Sequence, residues 1–315
     1  MHYKIKTTMT DPSLINKNPL LCDIETGICE VSDTKPDPSH GNIVSGSKLI
    51  KITYFTDPIC SSCWGIEPQL RKLKLEYGHI IEIEYRMGGL LPDWSYNSGG
   101  ISKPSDVAKH WDEVSVYYDM PIDGDLWLED PLSSSFPPSI AFKAAEIQNK
   151  EKAVYFLREL RELMFLKKKN ITKWEYVEES ARKVNLDPSQ LKDDTQGKAV
   201  ELFEEDLKLA NKLGVRGFPT RFFSDNSEVQ EKVYGAKPYS VMENVILKLQ
   251  PQASKINYDK DWQSLFQLFP TLTSREFSEL SNIKRDEADL LLETLYTEQN
   301  LNKLETKNGA VWYKI

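Results

Sequence analysis

No long apolar run occurs in the 315 residues of this chain. In the first thirty positions the longest is a few residues around Leu20 and Leu21, far short of a signal-peptide core or a membrane span, so a cytoplasmic protein with no membrane partner is expected. Cysteine is scarce. Four cysteines are too few for the disulfide framework of a secreted protein, which makes a close pair a candidate for chemistry rather than a staple. A basic surplus is also missing: 40 basic against 48 acidic side chains leave a formal charge of -8, repulsive toward phosphate backbones and anionic lipid, so nucleic acid is not an expected partner. Internal repeats and low-complexity tracts are absent as well. The chain does carry 40% hydrophobic residues, material for the core of one large domain and a small one.

Residues 1–47 are rich in Pro, Asp, Ser, Thr and Asn without apolar periodicity, which predicts an irregular arm; it contains Cys22 and Cys29. LIKITYFT at 49–56 reads as a strand, Asp57-Pro58 as a break, and Ile66, Leu70, Leu73 and Tyr77 fall at helical spacing before Gly78. IIEIEYRM at 80–87 is a second strand, closed by Gly88-Gly89. From about 104 to 213 the period is helical, an all-helical insertion. Strand signals return at Thr220 to Phe223 and Val229 to Tyr234 around the turn Asp225-Asn226-Ser227, and Tyr239 to Leu249 is a helix. This order predicts an α/β domain over 48–250 whose mixed sheet is interrupted by the insertion. Residues 250–260 read as a linker, and a second unit at 251–315 has three helical patterns before a hairpin turning at Asn308-Gly309, the outline of a winged helix.

Chemistry concentrates at Cys60-Ser61-Ser62-Cys63, where a strand hands over to a helix. A sulfur at a helix start faces unpaired N–H groups and the positive end of the dipole, which favours the thiolate that attacks disulfides. Cys63, one turn on, is placed to resolve a mixed disulfide at Cys60. Pro68 should kink the helix, and Phe218-Pro219-Thr220 precedes the returning strand; a cis bond before Pro219 would offer the Phe218 backbone to an extended partner. Trp64 either covers this site for a substrate or is ordinary packing, and Asp57 and Glu67 either accept a proton from Cys63 or complement the helix dipole.

Other assignments compete. Four thiolates could close a zinc site, but the six-residue gap between Cys22 and Cys29 is wide for a zinc knuckle and the strand-to-helix placement of Cys60 favours redox chemistry, so no metal or cofactor is expected. Cys22 and Cys29 could form a second dithiol exchanging with the first, bind a metal with His2 or His40, or be plain solvent thiols. In the tail, six basic residues meet nine acidic ones over 261–315, and the helix after Arg285 carries Asp286, Glu287, Asp289 and Glu293, which argues against DNA and for a packing or protein-binding role.

DPICSSCWGIEPQL, the GGL at 88–90 and GVRGFPT at 214–220 resemble the DsbA-like disulfide oxidoreductases of the cytosolic FrnE-like branch. That resemblance implies a thioredoxin-like fold with a helical insertion, a nucleophilic Cys60, a resolving Cys63 and a cis-Pro219. The Ser-Ser dipeptide lacks the Pro or His of strongly oxidising members, so redox direction does not carry over. A second resemblance, through GDLWLEDPLSSSFPPSIAFKAAEIQ, FLKKKNIT and LFPTLTSREFSEL to KNGAVWYKI, is to the SpxH (YjbH) family, adaptors that present the regulator Spx to the ClpXP protease. Two functions are therefore expected. The first is a thiol-disulfide oxidoreductase acting on protein or small thiol substrates; the alternative is an adaptor with redox-sensitive cysteines, partnered by an Spx-like regulator and ClpXP.

Overall fold

Six of the seven residues of IKITYFT are buried, which places this strand at the centre of a sheet covered on both faces. The computed structural model describes residues 22–23, 28–30, 49–95, 103–225 and 230–315. Two short strands come first, β1 (Cys22–Asp23) and β2 (Ile28–Glu30), and the central strand is β3 (Ile50–Thr56). Next are α1 (Ser61–Gly65), α2 (Glu67–Tyr77) and β4 (Ile81–Met87). The insertion comprises α3 (Pro104–Tyr118), α4 (Leu126–Glu129), α5 (Phe136–Gln148), α6 (Lys150–Lys167), α7 (Trp174–Lys183), α8 (Pro188–Asp194) and α9 (Lys198–Lys212). After it run β5 (Gly217–Phe218), β6 (Thr220–Ser224), β7 (Gln230–Tyr234) and α10 (Tyr239–Leu249). The tail holds α11 (Trp262–Leu268), β8 (Thr271–Thr273), α12 (Ser274–Ser281), α13 (Arg285–Thr297), β9 (Leu301–Thr306) and β10 (Gly309–Lys314).

The main sheet has the order β4-β3-β6-β7, with β3 and β4 parallel and the other neighbours antiparallel. This is the thioredoxin-like arrangement, a βαβ unit and a β-hairpin sharing one sheet. Asp206 of α9 ties the insertion to it. Its fully buried carboxylate accepts from Arg86 Nη1 at 2.8 Å and Met87 N at 2.9 Å, and pairs with Lys143 Nζ at 3.0 Å. The expected kink at Pro68 is a full break: α1 ends at Gly65, and α2 restarts with proline in its first turn, where a missing N–H leaves no bond unmade.

The arm differs from its irregular reading. Cys22 pairs with Cys29 and Asp23 with Ile28 in an antiparallel ribbon, and β2 pairs with β5, giving a second sheet of order β1-β2-β5. Strands of two and three residues are too short for alternation to show in a sequence; an available edge makes them. His2 and His40 lie outside the described residues. In the tail, β8 is an unexpected third strand beside the hairpin, whose turn residues are Lys307 and Asn308 because Thr306 already pairs with Gly309.

Leu265, Phe277, Leu280, Leu292, Leu301 and Trp312 form a separate core for the tail. Its attachment to the thioredoxin-like unit is ionic at the centre. Glu276 caps α12 through Thr273, whose N–H it accepts at 2.8 Å, and it also receives Arg158 through two bonds of 2.7 and 3.0 Å, with Arg71 Nε at 3.3 Å. Burial pushes the Glu276 carboxyl up, but Arg158 and Arg71 outweigh it and hold it below its ordinary value. Replacing Glu276 by Ala removes a shared carboxylate from two buried guanidinium groups, Arg158 and Arg71, and should destabilise the protein by about 3–5 kcal/mol in urea unfolding. Removing Glu201 from its exposed pair with Lys198 should leave the urea unfolding midpoint unchanged.

Candidate functional site

Cys60 is the N-cap of α1, and its sulfur accepts the Cys63 N–H at 3.2 Å. Both cysteines are thiols rather than a disulfide, and neither has any exposed surface. Three elements enclose them. From β3, Tyr54 and Thr56 bring their hydroxyls toward Cys63. On α6, the fully buried Arg161 donates to Thr56 Oγ1 at 2.8 Å and to the Asp57 carbonyl at 3.2 Å, with its charge acting on both sulfurs. From β6, Arg221 is fully buried too; burial pulls it down to about 10, so it remains cationic at neutral pH.

The sulfurs titrate as one acid. Burial pushes the Cys60 thiol well up, and the hydrogen bond and charge of Cys63 add to the effect. At Cys63 burial also pushes upward, but the Cys60 hydrogen bond, the Arg161 charge and the Thr56 and Tyr54 hydroxyls outweigh it and leave this thiol lowered. Within the pair, Cys60 is thus the thiol that holds its proton more tightly and Cys63 the one that gives it up more readily. This reverses the expectation that the helix start ionises Cys60, because dehydration at a fully buried sulfur exceeds what one N–H restores. Water reaching Cys60 would lessen that penalty and leave the Cys63 N–H in place.

The other expected residues are placed as follows. The Phe218–Pro219 peptide is cis. Phe218 is fully buried, its ring so close to Gly88 that a β-carbon there would overlap it, and its backbone is paired with Cys29 of the arm. Trp64 is not a substrate surface. It is completely buried, donates to the Pro121 carbonyl at 3.1 Å, stacks on Phe165 and lies under the Arg158 guanidinium at 4.3 Å, so it fixes α1 against the insertion. Asp57 turns its carboxylate to Ile59 N, Leu90 N and Ser135 Oγ, and Glu67 turns to Arg161 and Arg71; neither is directed at a sulfur. Tyr118, whose hydroxyl donates to Ser62 at 3.0 Å, joins Arg161, Arg221 and Tyr54 among the site residues that motif reading missed. No group of acidic, His and Cys side chains suited to a metal occurs among the described residues.

Two measurements test this electrostatic account. Arg161→Met should raise the pKa of the thiolate in ultraviolet thiolate titration, and Arg161→Lys should restore most of the lost effect. Burial raises the Asp57 carboxyl from 3.8 to about 6. The folded chain therefore binds more protons than the unfolded one in that window, and the contribution of this group to stability falls as pH rises through it. Between the two ends the stability of Asp57→Asn relative to wild type should climb by about 3 kcal/mol in urea unfolding.

A family model described as Thioredoxin matches residues 54–244. The ClpXP adapter protein SpxH of Halalkalibacterium halodurans is 32% identical over 94% of this chain and 98% of its own length. SpxH of Bacillus subtilis is 29% identical over 84% of this chain and 89% of its own. Among solved structures, the cytosolic disulfide reductase DsbM of Pseudomonas aeruginosa shares the fold, with a TM-score of 0.52 at 19% identity, covering 63% of this chain and 99% of its own. No described helix is long and apolar enough to cross a membrane. The match through both the thioredoxin-like unit and the tail means that the chain belongs to the SpxH family of thioredoxin-fold proteins.

Proposed function

We propose that the protein is a cytoplasmic adaptor of the SpxH type, which holds an Spx-like regulator for the ClpXP protease. The observation that carries this reading is the tail. DsbM covers 63% of this chain, whereas the SpxH of H. halodurans covers 94%. Glu276 joins the tail to α2 and α6 through buried ion pairs, so the unit that sets this chain apart is locked onto the thioredoxin-like body rather than tethered loosely. A rigid two-part surface suits a protein that presents a client.

A second activity, thiol-disulfide exchange, is favoured by the site itself. Cys60 would attack a disulfide of a protein or small thiol, forming a mixed disulfide and releasing one partner thiolate; Cys63 would then attack Cys60, closing the 60–63 disulfide and releasing the other. Because both sulfurs are buried, this chemistry needs an opening step that an adaptor does not.

Degradation of an Spx-like regulator by purified ClpXP should accelerate when the full chain is added, and Cys60→Ser should retain that acceleration while losing glutathione-coupled disulfide exchange. Degradation indifferent to the protein sinks the adaptor reading. Exchange that survives Cys60→Ser sinks the thiol reading.

A further inference from the structure

The edge beside the thiol pair is already occupied by this chain. β5 ends at Phe218, next to Pro219, and presents the backbone edge that an extended partner of a thioredoxin-like site would join by strand addition. Here β2 joins it, with Cys29 opposite Phe218 and Glu30 opposite Gly217, and β2 also lies against α1, the helix that starts at the sulfurs. The residue set against Phe218 is a cysteine, and its own partner across the ribbon is Cys22. Directly opposed residues of an antiparallel ribbon have Cα atoms about 4.5–5.5 Å apart, inside the range of about 4.4–6.8 Å that a disulfide spans.

We propose that the arm ribbon is a built-in exchange partner, with Cys22 and Cys29 a second dithiol that trades its disulfide with Cys60 and Cys63. This rests on the thiol-exchange reading given above. The step balances within the chain. Starting from a 22–29 disulfide, the Cys60 thiolate attacks the Cys29 sulfur, a 29–60 bond forms, the 22–29 bond breaks, and Cys22 leaves as a thiolate that takes up the proton lost from Cys60. Cys63, deprotonated, then attacks Cys60; the 60–63 bond forms, the 29–60 bond breaks, and Cys29 leaves and takes up the proton lost from Cys63. Two electrons pass from the Cys60/Cys63 pair to the arm, and the reverse sequence carries them back. No external oxidant or reductant enters the exchange itself.

Tethering gives the arm an advantage over partners from solution. A partner in the same chain is met at a concentration that dilution does not lower, so a free disulfide protein meets an edge already filled.

The test uses the full chain with Cys63→Ser, and Cys63→Ala as a second form, each oxidised briefly with oxidised glutathione, acid-quenched and mapped by mass spectrometry without reduction. The expected result is a 29–60 linkage that exceeds any 22–60 linkage, keeps its yield over a tenfold dilution, and disappears when Cys29→Ser is added. A linkage whose yield falls with dilution joins two chains and overturns the proposal. Glutathione on Cys60 with no arm linkage overturns it too, while leaving exchange with outside partners intact. If Cys60 takes neither glutathione nor the arm in either form, exchange and relay fall together.

Discussion

A buried guanidinium beside two dehydrated sulfurs governs this molecule. Arg161 and Arg221, with the Tyr54 and Thr56 hydroxyls, oppose the cost of a thiolate away from water, and Arg161 is the one whose charge acts on both sulfurs. Arg161 itself needs support, since a fully buried cation must be paired. Glu67 supplies part of that at 3.4 Å, and Glu67 also faces Arg71 at 3.7 Å. Arg71 in turn meets Glu276, on the first turn of a tail helix. A continuous row of alternating charges therefore runs from the thiols to the tail, and each member is neutralised by the next. The row of charges beside the thiols is the same one that docks the tail.

This row also explains what the sequence could and could not disclose. The CSSC motif, the strand before it and the Phe218-Pro219 step were legible because their meaning is local: a strand, a helix start and a proline sit next to one another in the chain. The bounds of α10 were legible for the same reason, as its apolar period runs cleanly between Pro238 and Leu249. Arg161 stands 105 positions from Thr56, and Arg158 118 from Glu276. In a helix carrying KEKAVYFLRELRELMFLK these arginines look like an ordinary solvated face. Only the packing of α6 onto α1 shows that both are buried, and nothing in a single sequence reports a contact between such distant positions. The arm strand was hidden for a different reason: β2 is defined by the edge it pairs with, not by its own three residues.

The buried state also reconciles two lines of kinship. A thioredoxin-like enzyme with many disulfide partners needs its cis-proline edge open, because main-chain pairing there is what lets it accept unrelated extended segments. Here that edge carries a strand of the same chain, and Cys60 is a fully buried thiol at the start of the neighbouring helix. The fold is thioredoxin-like, while the thiol pair has no exposed surface.

Access then becomes a chemical variable. Burial is the largest cause that pushes the Cys60 thiol up, so water reaching this sulfur would ease the loss of its proton while the N–H of Cys63 still points at it. Arg161 is linked through Glu67 and Arg71 to Glu276, so the residues that support the thiols electrostatically and those that hold the tail share one row of charges.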